Sequence, residues 1–77
     1  MKQVKKITSI EEYRRWAKMR MGYLELTQAE LARRMHVPRE RINESLHGKP
    51  SGRKYVLPVI RELGGREEDF EELLRAL

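Results

Sequence analysis

Thr27-Gln28-Ala29-Glu30-Leu31-Ala32-Arg33-Arg34-Met35-His36-Val37-Pro38-Arg39-Glu40-Arg41-Ile42-Asn43-Glu44-Ser45-Leu46-His47-Gly48 is the stretch that decides how the 77-residue chain folds. Thr27 followed by Glu30 is a reciprocal capping pattern: each side chain can take a backbone N–H that a helix start leaves unpaired. Leu31, Ala32 and Met35 then share one face, and the segment stops at His36-Val37 after about two turns. Pro38 suits the first position of a second helix, where its missing N–H costs nothing. Ile42 and Leu46 give that helix one apolar side, and Gly48 ends it. Two short helices joined by a tight link read as a helix-turn-helix. In this geometry Ala32 is small because the second helix crosses close to it, while Val37 and Ile42 fill the angle between the two. The second helix keeps a free face of Arg39, Glu40, Asn43, Glu44 and His47.

Working outward, the rest of the chain also reads as helix. Ser9 and Glu12 form another capping box, followed by Ile10, Tyr13, Ala17 and Met21 at helical spacing with Trp16 beside them; Gly22 is expected to end this helix. Tyr13 and Trp16 are expected in the core, since a small domain needs large side chains to bury. Downstream, Lys49-Pro50-Ser51-Gly52-Arg53-Lys54 reads as a basic loop. Tyr55 to Leu63 reads as a fourth helix with Val56, Ile60 and Leu63 on one side, closed by a left-handed cap at Gly64-Gly65. Glu67 to Leu77 reads as a fifth helix with Phe70, Leu73, Leu74 and Leu77 as its stripe and acidic residues in its first turn, where the helix dipole favours them. A weak strand-like alternation occurs only at Gln3 to Ile7. The expected fold is all-α, a compact bundle of about five helices in one domain over 1–77, with a basic arm at 1–8, the helix-turn-helix at 27–48 and a C-terminal helix at 66–77.

Charge is unevenly distributed. The net charge is +5, with a pI near 9.9. Up to Arg66 there are 16 basic against 7 acidic residues, a net of +9; from Glu67 onward there are 5 acidic against one basic, a net of −4. A basic body with an acidic end points to a polyanion partner. Cysteine is absent, so disulfides, thiolate metal sites and cysteine nucleophiles are excluded. Nothing approaches the roughly 20 apolar residues of a membrane span, and no apolar stretch follows the basic start as a secretory signal requires. A soluble, cytoplasmic domain is expected. His36 and His47 have no carboxylate or cysteine at ligand spacing, so no metal is expected. Gly48 to Lys54 lacks the Gly-Lys-Ser/Thr ending of a phosphate loop. No serine has a base placed beside it and no carboxylate pair sits in an apolar setting, so neither an enzyme nor a cofactor is expected.

Thr27 to Val37, above all Thr-Gln-x-Glu-Leu-Ala, resembles the Cro/repressor-type helix-turn-helix family of phage and bacterial transcriptional regulators, also known as the xenobiotic response element family. Ile42 to His47 resembles the recognition helix of the lambda Cro subgroup. The resemblance runs from about Ser9 to Leu63. It departs where His36 holds the turn position usually given to glycine, where Glu25 replaces a glycine before Leu-Thr-Gln, and where Ser45 replaces a large apolar residue. The resemblance implies a lambda-repressor-like fold and sequence-specific binding of double-stranded DNA, in a prokaryote or phage. It implies that Arg39, Glu40, Asn43 and Glu44 face base edges, and that Thr27, Gln28, His47, Lys49, Arg53 and Lys54 meet phosphates. The chemistry agrees: arginine pairs with guanine, asparagine with adenine, and glutamate accepts from cytosine, while loop cations attract phosphate regardless of sequence. Glu40 and Glu44 put negative charge on this face, and two accounts stand. Either one or both read cytosine, or Arg39 or Arg41 neutralises both; a mixed account is favoured, with Glu40 at cytosine or a neighbouring arginine and Glu44 at the groove edge.

Two readings also stand for Phe70, Leu73, Leu74 and Leu77: completion of the monomer core, or a dimer interface. A homodimer on a palindromic operator is favoured, because one helix-turn-helix makes few contacts. The acidic residues of this segment would then lie away from DNA. With so little chain for a sensor or polymerase-contacting domain, repression by occlusion is expected. The alternatives are an antitoxin-like module that binds a protein partner and represses its own operon, and a non-specific DNA-binding accessory protein. The arm from Lys2 to Lys6 reads equally as a minor-groove arm, a short strand or a disordered segment.

Overall fold

The computed structural model describes residues 6–77. The helices are α1 (Ile10–Leu24), α2 (Gln28–Met35), α3 (Arg39–Leu46), α4 (Val56–Glu62) and α5 (Glu71–Ala76), with 3-10 segments at Pro50–Tyr55 and Glu67–Phe70. The fold is all-α: among the described residues there are five α-helices and no strand. The strand-like alternation at Gln3 to Ile7 lies largely outside the described residues; Lys6 and Ile7 are not in a strand. None of the helices is long and apolar enough to cross a membrane.

Both helix starts fall where expected, but the capping box forms only at α2. At α1 the Ser9 hydroxyl accepts from the Glu12 N–H at 3.2 Å, while Glu12 Oε1 accepts from Thr8 N–H at 2.9 Å rather than from Ser9. At α2 the exchange is reciprocal, with Thr27 N–H donating to Glu30 Oε1 at 2.8 Å and Glu30 N–H donating to the Thr27 hydroxyl at 3.1 Å. Hydrogen bonding to Thr27, first through its backbone N–H, holds the Glu30 carboxyl below its ordinary value.

Helices α1 to α4 all close the same way. A residue in left-handed or bridging geometry donates back three residues, and the next donates back five: Glu25 to Gly22 and Leu26 to Met21, His36 to Arg33 and Val37 to Ala32, Gly48 to Ser45 and Lys49 to Glu44, Gly64 to Arg61 and Gly65 to Ile60. This is the Schellman arrangement, which pairs carbonyls that a helix end leaves free. Two of the four turning residues are glycines, but Glu25 (φ 57°) and His36 (φ 60°) are not. His36, at the turn position usually given to glycine, takes the left-handed conformation itself. Gly22, by contrast, does not end α1: the helix runs two residues further and turns at Glu25, which brings Leu26 onto the core.

Other boundaries move for local reasons. Pro38 caps α3 rather than starting it; its φ of −64° and ψ of 146° are extended, and Arg39 is the first helical residue. The basic loop is a 3-10 segment. The fourth helix is trimmed to Val56–Glu62 and the fifth opens as a 3-10 turn.

The core gathers Tyr13, Ala17 and Met21 of α1, Leu31 and Ala32 of α2, Ile42 and Leu46 of α3, and Val56, Val59 and Ile60 of α4. Ile7, Leu63, Phe70 and Leu73 complete it, the last two at 1% and 2% exposure. The dimer-interface expectation therefore fails for these two residues, whose apolar area is already covered by their own chain. The Trp16 ring meets Phe70 edge-on at 4.8 Å. Leu74 and Leu77 are only partly buried.

Two arginines of α1 serve the fold. Arg14 Nη1 donates to the Leu46 carbonyl at 3.1 Å and Arg20 Nε to the Leu63 carbonyl at 2.9 Å, so each places a cation at a helix C-terminus, where free carbonyls and the dipole favour it. The Ile7 N–H donates to the Asp69 carbonyl at 2.8 Å, joining the two ends of the described chain.

One polar pair crosses the core. The Tyr13 and Ser45 hydroxyls lie 2.7 Å apart, both residues fully buried. Tyr13→Phe strands the Ser45 hydroxyl in apolar surroundings and is expected to cost about 1–3 kcal/mol in urea unfolding. Adding Ser45→Ala should recover part of that loss; a double variant as weak as the sum of the singles would show that the bond does not couple the sites. Burial raises the Tyr13 pKa, with the Ser45 bond opposing it less strongly. Its contribution is thus intact below the ordinary tyrosine value of 10.0 and is lost as pH rises beyond it, so wild-type stability should fall on that limb and Tyr13→Phe should fall less.

Candidate nucleic-acid interface

Helix α3 is short enough that its inward residues determine what faces out. Ile42, Ser45 and Leu46 are buried, which leaves Arg39, Glu40 and Asn43 exposed on the opposite side. These three, with Glu44 and Lys49, line a single surface depression. The link between α2 and α3 that aims this face is built from His36, Val37 and Pro38: a left-handed residue, a half-buried one and an extended proline.

Glu40 and Glu44 behave differently. Glu40 is exposed. The Glu44 carboxylate is engaged, its Oε1 accepting from Arg41 Nη1 at 2.8 Å. The Ser51 hydroxyl, first, and Arg41 hold the Glu44 carboxyl below its ordinary value, and the same pairing pushes the Arg41 guanidinium up. Of the two accounts offered for these acids, neutralisation applies to Glu44, by Arg41. Glu44 still lines the depression with this bond in place.

The basic segment lies against α3. Gly52 is buried there, and a Cβ on it would collide with the Ser45 backbone nitrogen and come within 2.7 Å of the Ser45 Cα. Glycine is needed because backbone meets backbone. The packing sets Lys49, Arg53 and Lys54, all exposed, beside α3. Lys54 Nζ sits 5.4 Å from the centre of the Tyr55 ring.

Thr27, Gln28 and His47 lie outside the depression. Thr27 caps α2 and Gln28 is its first residue, while His47 is exposed at the C-terminal end of α3. The acidic segment is occupied with cations: Arg61 meets Glu67 at 3.2 Å, Arg66 pairs with Glu68, and Lys6 Nζ donates to the Glu68 carbonyl at 3.3 Å. Of the basic arm, Lys6 is thereby placed at the acidic end; Lys2 and Lys5 lie outside the described residues.

Sequence reasoning passed over Ser51 and Gly52, which look like ordinary loop residues. The positional signal was the glycine alone, and it gives no hint of which backbone approaches it. Comparison with protein-family models, curated proteins and solved structures finds no match to this chain.

The turn generates a prediction. A left-handed non-glycine residue costs about 1–2 kcal/mol, against roughly 0.5–1 kcal/mol for the extra freedom of unfolded glycine. His36→Gly is therefore expected to raise the unfolding midpoint slightly, and His36→Val to lower it, because a β-branched residue fits φ > 0 poorly. A His36→Gly variant weaker than wild type would mean that the imidazole contributes more than its backbone strain costs.

Proposed function

We propose that the chain binds double-stranded DNA sequence-specifically through α3, as a small transcriptional regulator of the Cro/repressor type that represses by covering its operator. The observation that carries this reading is the convergence of Arg39, Glu40, Asn43 and Lys49 on one exposed depression, with further cations placed alongside by the 3-10 segment. Arg39 is assigned to guanine O6 and N7, Asn43 to adenine N6 and N7, and Glu40 to cytosine N4. Glu44 takes a different part: with Arg41 and Ser51 it holds the basic segment against the helix. Lys49, Arg53, Lys54 and His47 follow the phosphates, and the N-terminus of α2 with Thr27 and Gln28 offers N–H groups to another.

Two copies on a palindromic site are part of the proposal, since one short recognition helix reads few bases. With Phe70 and Leu73 enclosed, Leu74 and Leu77 are what that stripe leaves for a second copy. The same burial weighs against an antitoxin-like module whose partner would grip Phe70 and Leu73. A cytoplasmic location goes with this function.

Selection of bound sequences from a random duplex pool tests specificity and symmetry together. Two half-sites related by a two-fold axis are expected; recovery without a consensus would defeat the reading and leave a non-specific binder. On the selected site, Arg39→Ala and Asn43→Ala should each cost about 1–3 kcal/mol and relax preference at one position. Lys54→Ala should weaken all sequences alike and reduce the salt slope by about 1.

A further inference from the structure

The lining of the α3 depression sets Arg39 and Lys49 against Glu40 and Glu44, with Asn43 as the remaining member. Two cations and two carboxylates leave no net charge there, so the depression by itself is not a trap for phosphate.

The two acids differ in how they are held. Glu40 is exposed and Glu44 is half-buried. The Glu44 side chain is 24% exposed, and its Oε1 accepts from Arg41 Nη1 at 2.8 Å. Arg41 is not among the residues lining the depression. The guanidinium thus fixes the carboxylate from outside, while the carboxylate contributes to the inside. A carboxylate has about four lone-pair positions, and the bonds to Arg41 and Ser51 take two of them. The same two partners favour the ionised form, which accepts hydrogen bonds and has no proton to donate.

Every base pair presents one amino and one keto group in the major groove, on opposite strands. A fixed acceptor that cannot donate therefore distinguishes the strands. Adenine or cytosine meets it with an N–H, whereas guanine or thymine sets an oxygen against it and is repelled.

We propose that Glu44 is a specificity-determining residue that selects an amino-bearing base, adenine or cytosine, at one position of the site and excludes guanine and thymine there. Arg41 is its positioning residue. The proposal rests on the reading of α3 as the helix that enters the major groove. It differs from the assignments of Arg39, Asn43 and Glu40 to single bases, because the preference has two letters and works by exclusion.

Selection from a random duplex pool with wild type, Glu44→Gln and Arg41→Met tests it. Wild type is expected to return one position at which A or C is favoured over G or T by about 10-fold. In Glu44→Gln the amide oxygen keeps the Arg41 bond and the NH2 takes the other place. Preference at that position should then move toward G or T, with the rest of the consensus unchanged. Arg41→Met leaves the carboxylate unheld, and the A or C preference should weaken several-fold at that position alone, which keeps the test decisive if Glu44→Gln does not fold. A wild-type pool without any consensus defeats the DNA reading itself. A wild-type consensus with no such position, one that Glu44→Gln leaves unaltered, or one that both variants lose at every position alike defeats the role of Glu44 and leaves α3 as the reader.

Discussion

Three segments meet at Ser45, and the arrangement of the exposed face depends on how closely they approach. On one side the Tyr13 hydroxyl reaches across the core to the Ser45 hydroxyl, fixing α1 against α3. On another, Gly52 rests on the Ser45 backbone with no room for a side chain. A large apolar residue at position 45 would fill the space that the tyrosine ring and its hydroxyl occupy. A polar pair in an apolar core is directional where dispersion contacts are not, so it specifies the rotation of α3 as well as its position. That rotation turns Arg39, Glu40 and Asn43 outward.

The positive charge is partitioned by geometry. Arg14 and Arg20 are directed at helix-end carbonyls, Arg61 and Arg66 at the acidic segment, and Arg41 at Glu44. Cations exposed at α3 and in the following 3-10 segment include Arg39, Lys49, Arg53 and Lys54. Lys18, Arg33 and Arg75 are exposed as well, so this pairing trims the positive charge elsewhere on the surface without removing it. The ion pairs themselves are exposed and add little to stability, so their effect is on where charge is available.

Much of the fold was legible because its signals are local. Ser9 with Glu12 and Thr27 with Glu30 announce helix starts through bonds made within four residues, and the Tyr13, Ala17, Met21 and Leu31, Ala32 stripes announce which faces are buried. Helix ends were less legible. Glycine is the usual mark of a left-handed turn, yet Glu25 and His36 take that conformation while Gly22 stays helical, because burying Leu26 and Val37 one residue further on outweighs a modest backbone strain. The outward set on α3 was readable from the Ile42 and Leu46 spacing. The engagement of Glu44 by Ser51 was not, since it depends on a backbone contact between α3 and a later segment.

The sequence by itself determined an all-helical chain, where α1 and α2 begin, and which side of α3 carries arginine and asparagine, because capping bonds and helical periodicity act over a few residues. Only the tertiary structure decided that Phe70 and Leu73 belong to the core and that Ser45 is the partner of Tyr13. Each of these depends on segments more than 30 positions apart being pressed together by apolar burial, a non-directional force whose outcome is set by shape and volume across the whole domain.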